Sequence, residues 1–117
     1  MSEDEKVIRP INWAKLRTDE AERVIRERAA STANVLIGDH AYDRIGQRSI
    51  TQVDVYRILR SGYVVEQPVR SDHGDGWKAV VVKKMPGERE AGAVTIVFDP
   101  PSDRIFVVTV EWMDIAK

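Results

Sequence analysis

The chain has 117 residues, no cysteine, and a net charge of −1 from 18 basic and 19 acidic side chains. That length makes one domain with its own core, and the missing cysteines exclude disulfides, zinc–thiolate sites and cysteine nucleophiles. The near-neutral balance excludes a globally basic nucleic-acid binder, so any site for an anion must be local.

Residues 1–10 (MSEDEKVIRP) read as a polar, flexible tail closed by Pro10, and 11–117 as a single domain. The tail lacks the apolar core of a secretory signal, and no apolar run is long enough to cross a bilayer. The cytoplasm is therefore the expected location, which also fits the absence of cysteine.

A helix is predicted over 12–30. Trp13, Leu16, Ala21, Val24 and Ile25 approximate one apolar stripe, and Asn12 is its candidate N-cap. Thr18, Asp19 and Glu20 offer a later start for a shorter helix, and Glu22 and Arg26 stand at ion-pair spacing. The segment STAN at 31–34 is a break. A short helix is predicted from an Asp39 N-cap through Ile45, with Gly46 ending it within a turn. Thr51 and Asp54 suit a capping box for a further helix, whose apolar face is Val55, Ile58 and Leu59. Gly62 sits where a C′ glycine belongs.

The period then becomes extended. Strands are predicted at 63–69, 77–84, 93–98 and 105–112, with Pro68 marking an edge. SDHGDG at 71–76, a charged loop at 85–91 and DPPSD at 99–103 connect them. Helices first and strands after predict an α+β fold: two or three N-terminal helices packed on one face of a four-stranded, mostly antiparallel meander.

His40, Arg44 and Arg48 are spaced four and four, on a helical stripe that drifts only ~80° across the set. Ala41 and Ile45 form the adjacent, core-facing stripe. The polar stripe is then expected at the rim of the helix–sheet contact, over the sheet edge or its open face. An imidazole can move a proton near neutral pH. Two guanidiniums can bind phosphate oxygens and offset charge in a transition state. These groups suit metal-independent cleavage of RNA by its own 2′-OH. The same spacing suits a solvated face whose arginines pair with Asp39, Asp43 or Asp54.

Lys78 and Lys84 share one face of the second strand, with Lys83 on the other. They suit an anionic partner or the guarding of an edge strand. Trp77, like Tyr63 and Trp112, suits stacking on bases or a place in the core. Thr109, in the middle of the last strand, suits simple β-propensity. Asp72, His73 and Asp75 read as part of a turn, not as a metal site, and no cofactor motif is present.

His40-Ala41, Arg44, Arg48, Ile50-Thr51, Val53, Val55, Leu59, Gly62 and then three strands ending in VVTVEW occur in an order that resembles the bacterial domain of unknown function 4258. That family is associated with the toxin-like ribonuclease superfold of RelE, barnase and colicin-type tRNases. The resemblance covers roughly 38–112. Ser49 stands where the family pattern has glycine. The resemblance implies a RelE-like fold and a metal-independent endoribonuclease, either a toxin module or its inactive relative. His40 would be the general acid or base, Arg44 and Arg48 would bind or stabilise phosphate, and Thr109 would line the same cleft. Lys78, Lys84 and Trp77 are the candidates for holding substrate. RNA and a cognate antitoxin or other protein are the implied partners, with no metal, cofactor or membrane, for a monomer or weak homodimer. The alternative is a non-catalytic protein-binding module of the same fold.

Overall fold

The computed structural model describes residues 10–113; all of the predicted 1–10 tail but Pro10, and the last four residues, lie outside that range. Helix α1 spans Thr18–Ala29, and a 3-10 turn at Thr32–Asn34 leads into strand β1, Val35–Ile37. Helices α2 (Asp39–Arg48) and α3 (Gln52–Ser61) follow. Strands β2 (Tyr63–Val64), β3 (Val69–Arg70), β4 (Gly76–Met85), β5 (Arg89–Phe98) and β6 (Ile105–Trp112) complete the chain.

The α+β expectation holds, but the sheet has six strands, ordered β1-β6-β5-β4-β2 with β3 also on β4. Strands β4, β5 and β6 form the antiparallel meander, and β1 joins β6 in parallel. The predicted strand at 63–69 is instead two short strands that pair with separate stretches of β4. Buried Pro68 stands between them, where its missing N–H breaks the ladder. The charged loop predicted at 85–91 is largely strand: β4 and β5 pair out to Met85 and Arg89, around the tight turn Pro86–Glu88.

Helix α1 starts later than the 12–30 expectation because residues 12–17 spend their backbone on side chains. Glu20, largely buried, accepts from Asn12 N at 3.2 Å and Arg17 N at 3.0 Å. Trp77 Nε1 donates to the Trp13 carbonyl at 3.0 Å, and Gln67 Nε2 to that of Leu16 at 2.7 Å. Arg17, not Asn12, is the N-cap residue. The Glu22–Arg26 pair forms at 3.4 Å.

The core lies between α1, α3 and one face of the sheet. Leu16, Ala21, Val24, Ile25, Val55, Ile58 and Leu59 pack against Ala79, Val81, Ala93, Val97, Ile105 and Val107. Alanines at the sheet centre let the helices approach closely, and burial of each large aliphatic side chain contributes roughly 1.5–3 kcal/mol. Thr51 caps α3 as expected, its Oγ1 accepting from Asp54 N at 3.0 Å. Gly62 is present for a different reason from the one expected. Its φ is −83°, and a Cβ there would lie 2.6 Å from the Ile58 carbonyl oxygen. Close approach, not a left-handed turn, requires the glycine.

Candidate functional site at the margin of the open sheet face

Helix α2 begins where β1 leaves the sheet. Gly38 N donates to the Val107 carbonyl at 3.0 Å, and at the other end Trp112 Nε1 donates to the Arg48 carbonyl at 2.6 Å. Thus α2 runs alongside β6 and closes its edge. Its N-cap is Gly38, and Asp39 is the first helical residue. The helix also passes through Gly46, where an early end was expected. Gly46 is exposed, and its cost of ~1 kcal/mol is outweighed by burying Ala41 and Ile45. The helix ends at Ser49, whose φ of 59° is left-handed. His40, Arg44 and Arg48 therefore share one continuous helix.

The drift of their stripe has a structural consequence. Each step of four advances it by ~40° toward the axis of Ala41 and Ile45. His40 is accordingly exposed, Arg44 is half-buried, and Arg48 has its Nε enclosed. Tyr42 occupies the other flank, where Gln52 of α3 donates to its hydroxyl at 3.3 Å. Because α3 lies in the helical layer, the His40–Arg44–Arg48 flank borders the opposite side of the sheet, which no described helix covers.

Arg44 Nε donates to His40 Nε2 at 3.4 Å, and its Nη1 donates to Gln47 Oε1 at 3.4 Å. In the first contact the imidazole Nε2 is the acceptor. Both bonds are long and readily exchanged. Among the described residues, neither Asp39 nor Asp43 forms an ion pair with Arg44 or Arg48, and Asp54 bonds Thr51 and Arg57 instead. The expectation that carboxylates lock this stripe is not met there.

Thr109 reaches the same side of the sheet through a bulge. Thr95 pairs with Val107, whereas Val94 pairs with Thr109, so Val108 is an extra residue on β6. Unbroken alternation from Ile105 and Val107 would place Thr109 on the helix-facing side. The bulge re-aims it to the open face and returns Val110 to the core. Thr109 lies roughly 7 Å along β6 from Val107, the rise of about five helical residues, near the Arg44 turn of α2. Its Oγ1, like Arg48 Nε, is enclosed without a hydrogen-bond partner among the described residues.

The other sequence-selected residues are not gathered with these four. Trp77 faces the helical layer and is 9% exposed, with Arg70 stacked 5.2 Å from its ring. It is therefore turned away from the open face. Lys78 and Lys84 do share the open face, but they stand six steps apart along β4, about 20 Å. Lys84 stands opposite Glu90, whereas Lys78 borders a separate cleft.

That cleft, of about 440 Å³, opens on the bare face of the sheet. Phe98 and Phe106 form much of its floor, and the 71–76 loop with Asp72, His73 and Asp75 forms one wall. The loop is tied down from within and without. Ser71 N donates to the Gly76 carbonyl at 2.9 Å and Asp99 N to that of Asp75 at 3.1 Å. Arg70 donates to the Gly74 carbonyl at 2.8 Å and, through both terminal nitrogens, to the Asp99 carboxylate. The Arg70 hydrogen bond holds the Asp99 carboxyl below its ordinary range. The two phenylalanines were not singled out from sequence. The available signal was that 93–98 and 105–112 are apolar at both parities, which a sheet solvated on one face does not need.

Comparison with curated proteins and with solved structures gives no match. Residues 37–112 match the family model described as Domain of unknown function (DUF4258). The matched segment holds α2 and all of β4, β5 and β6, and so every residue of the stripe and of the open face. Well over half the chain is covered, and the protein belongs to this family.

Proposed function

We propose that the protein is a metal-independent endoribonuclease, a toxin-like domain that cleaves RNA at the margin between α2 and the open sheet face. The observation that carries this reading is that two of the three enclosed, unpartnered side-chain atoms among the described residues, Arg48 Nε and Thr109 Oγ1 (the third is Arg26 Nε on α1), lie on α2 and the neighbouring β6, on the helix that also bears a His40–Arg44 pair without a carboxylate partner. Buried donors are almost always satisfied, and an exception calls for an explanation. A phosphodiester oxygen satisfies a guanidinium N–H and a hydroxyl together, at the edge where a histidine can exchange a proton.

In this reading His40 removes the proton of an RNA 2′-OH. The O2′–P bond forms, the P–O5′ bond breaks, and the leaving 5′ oxygen takes a proton from solvent. Arg44 and Arg48 offset the charge that builds on the phosphoryl oxygens. Thr109 donates to one of them. No step calls for a metal or cofactor. A cognate antitoxin or other protein would act by covering this margin.

The test is cleavage of a labelled RNA by wild type and by His40→Ala, with EDTA present. Wild type is expected to yield 2′,3′-cyclic phosphate ends, and His40→Ala to be about 10²–10⁴-fold slower. Expression of wild type, but not of His40→Ala, is expected to arrest growth. Absence of cleavage, or cleavage indifferent to His40→Ala, refutes the proposal.

A further inference from the structure

We infer that the open-face cleft between the 71–76 loop and the Phe98–Phe106 floor is a nucleobase subsite, selective for bases that carry an exocyclic amino group. The inference rests on the proposal that RNA lies along the α2 margin, and it names which part of the RNA is read and where.

Phe98 and Phe106 lie on neighbouring antiparallel strands. Phe106 is opposite Ile96, so Phe98 is its diagonal neighbour, about 7–8 Å away. Among the described residues no helix lies over them, and both line the cleft. Aromatic rings on an uncovered sheet are platforms on which unpaired bases stack. The floor is continuous with the proposed cleavage margin. A Cβ on Gly38 would fall 2.6 Å from the Phe106 ring tip, so that ring abuts the start of α2, two residues before His40.

The charge at the rim selects the part of the nucleotide that enters. Asp72 and Asp75 oppose a phosphate, and Lys78, the one lysine or arginine among the cleft's lining residues, does not outweigh them; His73 also lines the rim. A base edge fits better. Carboxylates accept from amino groups, and Lys78 donates to ring nitrogens or carbonyl oxygens. Adenine, cytosine and guanine carry an amino group, and uracil does not. The anchoring of the loop through Arg70 and Asp99 holds these acceptors in place before a ligand arrives, which lowers the cost of binding.

The test uses the full chain and 5′-labelled hexanucleotides of 2′-O-methyl adenosine, cytidine or uridine, which bind without being cleaved, read by fluorescence anisotropy. The adenosine and cytidine hexamers are expected to bind about tenfold or more tighter than the uridine hexamer. Phe98→Leu and Phe106→Leu keep apolar bulk while removing the ring, and each is expected to weaken the adenosine hexamer about 5-fold or more. The double variant Asp72→Asn, Asp75→Asn is expected to reduce the preference over uridine. Circular dichroism confirms that each variant is folded. Equal affinity for the three hexamers, no detectable binding, or indifference to both phenylalanine variants overturns the inference. Selective, ring-dependent binding without cleavage of ordinary RNA sustains the subsite and refutes the ribonuclease reading. Cleavage that depends on His40 but shows no base preference does the reverse.

Discussion

Replacing Ser49 by glycine should stabilise the protein. Ser49 ends α2 with φ 59° and ψ 33°, inside the left-handed region, and is exposed. No hydrogen bond from its side chain to a described residue offsets that conformation. For an L-residue the region costs roughly 1–2 kcal/mol, because Cβ crowds the following carbonyl oxygen. Glycine avoids this but loses roughly 0.5–1 kcal/mol more backbone freedom on folding. The difference leaves about 0.5–1 kcal/mol in favour of Ser49→Gly. In a chain of this size that corresponds to a rise of about 2–6 °C in Tm. Urea unfolding should show a higher midpoint with an unchanged slope, because the buried surface does not change. Ser49→Ala keeps the strain and is expected to stay within about 0.5 kcal/mol of wild type. The resemblance noted from sequence places glycine here, the residue that this φ favours. A Ser49→Gly protein no more stable than wild type would refute the reasoning, and would mean that the left-handed residue is not strained in solution.

Three further substitutions probe other links. Thr51→Ala removes the acceptor for Asp54 N, and urea titration should show a loss of about 1 kcal/mol. Gly76→Ala places a Cβ 2.3 Å from the Val97 carbonyl oxygen, within the β4–β5 ladder. Backbone on both sides cannot yield, so thermal melts should show a loss of about 3 kcal/mol or more, or no folded protein. Asp99 has its carboxyl held below the usual range by Arg70, so the folded state binds a proton there less readily than the unfolded chain. That contribution is present above the ordinary carboxyl pKa of about 4 and is lost as pH falls through the lower folded value. Asp99→Asn should therefore show a shallower loss of stability than wild type on acidification below about pH 4, measured by urea midpoints across pH.

Much of the fold was legible because local chemistry and tertiary structure agree there. The Thr51–Asp54 box, the Val55–Ile58–Leu59 face and strand 105–112 all sit where capping rules and periodicity place them. The elements that were missed are held by partners distant in sequence. Strand β1 is three residues long and exists because it pairs with β6 some seventy residues later. The start of α1 moved because Trp77 and Gln67 take up carbonyls at Trp13 and Leu16. Helix α2 continues past Gly46 because Trp112 and the core hold its last turn. Of the candidate site, the His40–Arg44–Arg48 stripe was visible as a spacing. Alternation also put Lys78 and Lys84 on one face, but the placement of Thr109 and Trp77 was not visible, since it depends on a bulge and on which face of the sheet the helices cover.

The bulge and the drift of the stripe act together on the same margin. A straight β6 would turn Thr109 toward α1 and α3, among aliphatic side chains that offer its hydroxyl nothing. A stripe without drift would leave Arg48 as exposed as His40, a solvated cation with little reason to hold one geometry. The extra residue at Val108 turns the Thr109 hydroxyl to the open face, and the ~40° advance per helical step encloses Arg48 Nε, while His40 stays open to solvent. Each enclosed group raises the folding cost of the apo protein, since an unsatisfied buried polar atom costs roughly 1–3 kcal/mol. An anion that satisfied both would recover that energy on binding. Valine in place of Thr109 would fill the same space without an enclosed polar atom. On the proposed reading, the α2–β6 margin gives up some stability to hold two donors that a phosphodiester would satisfy.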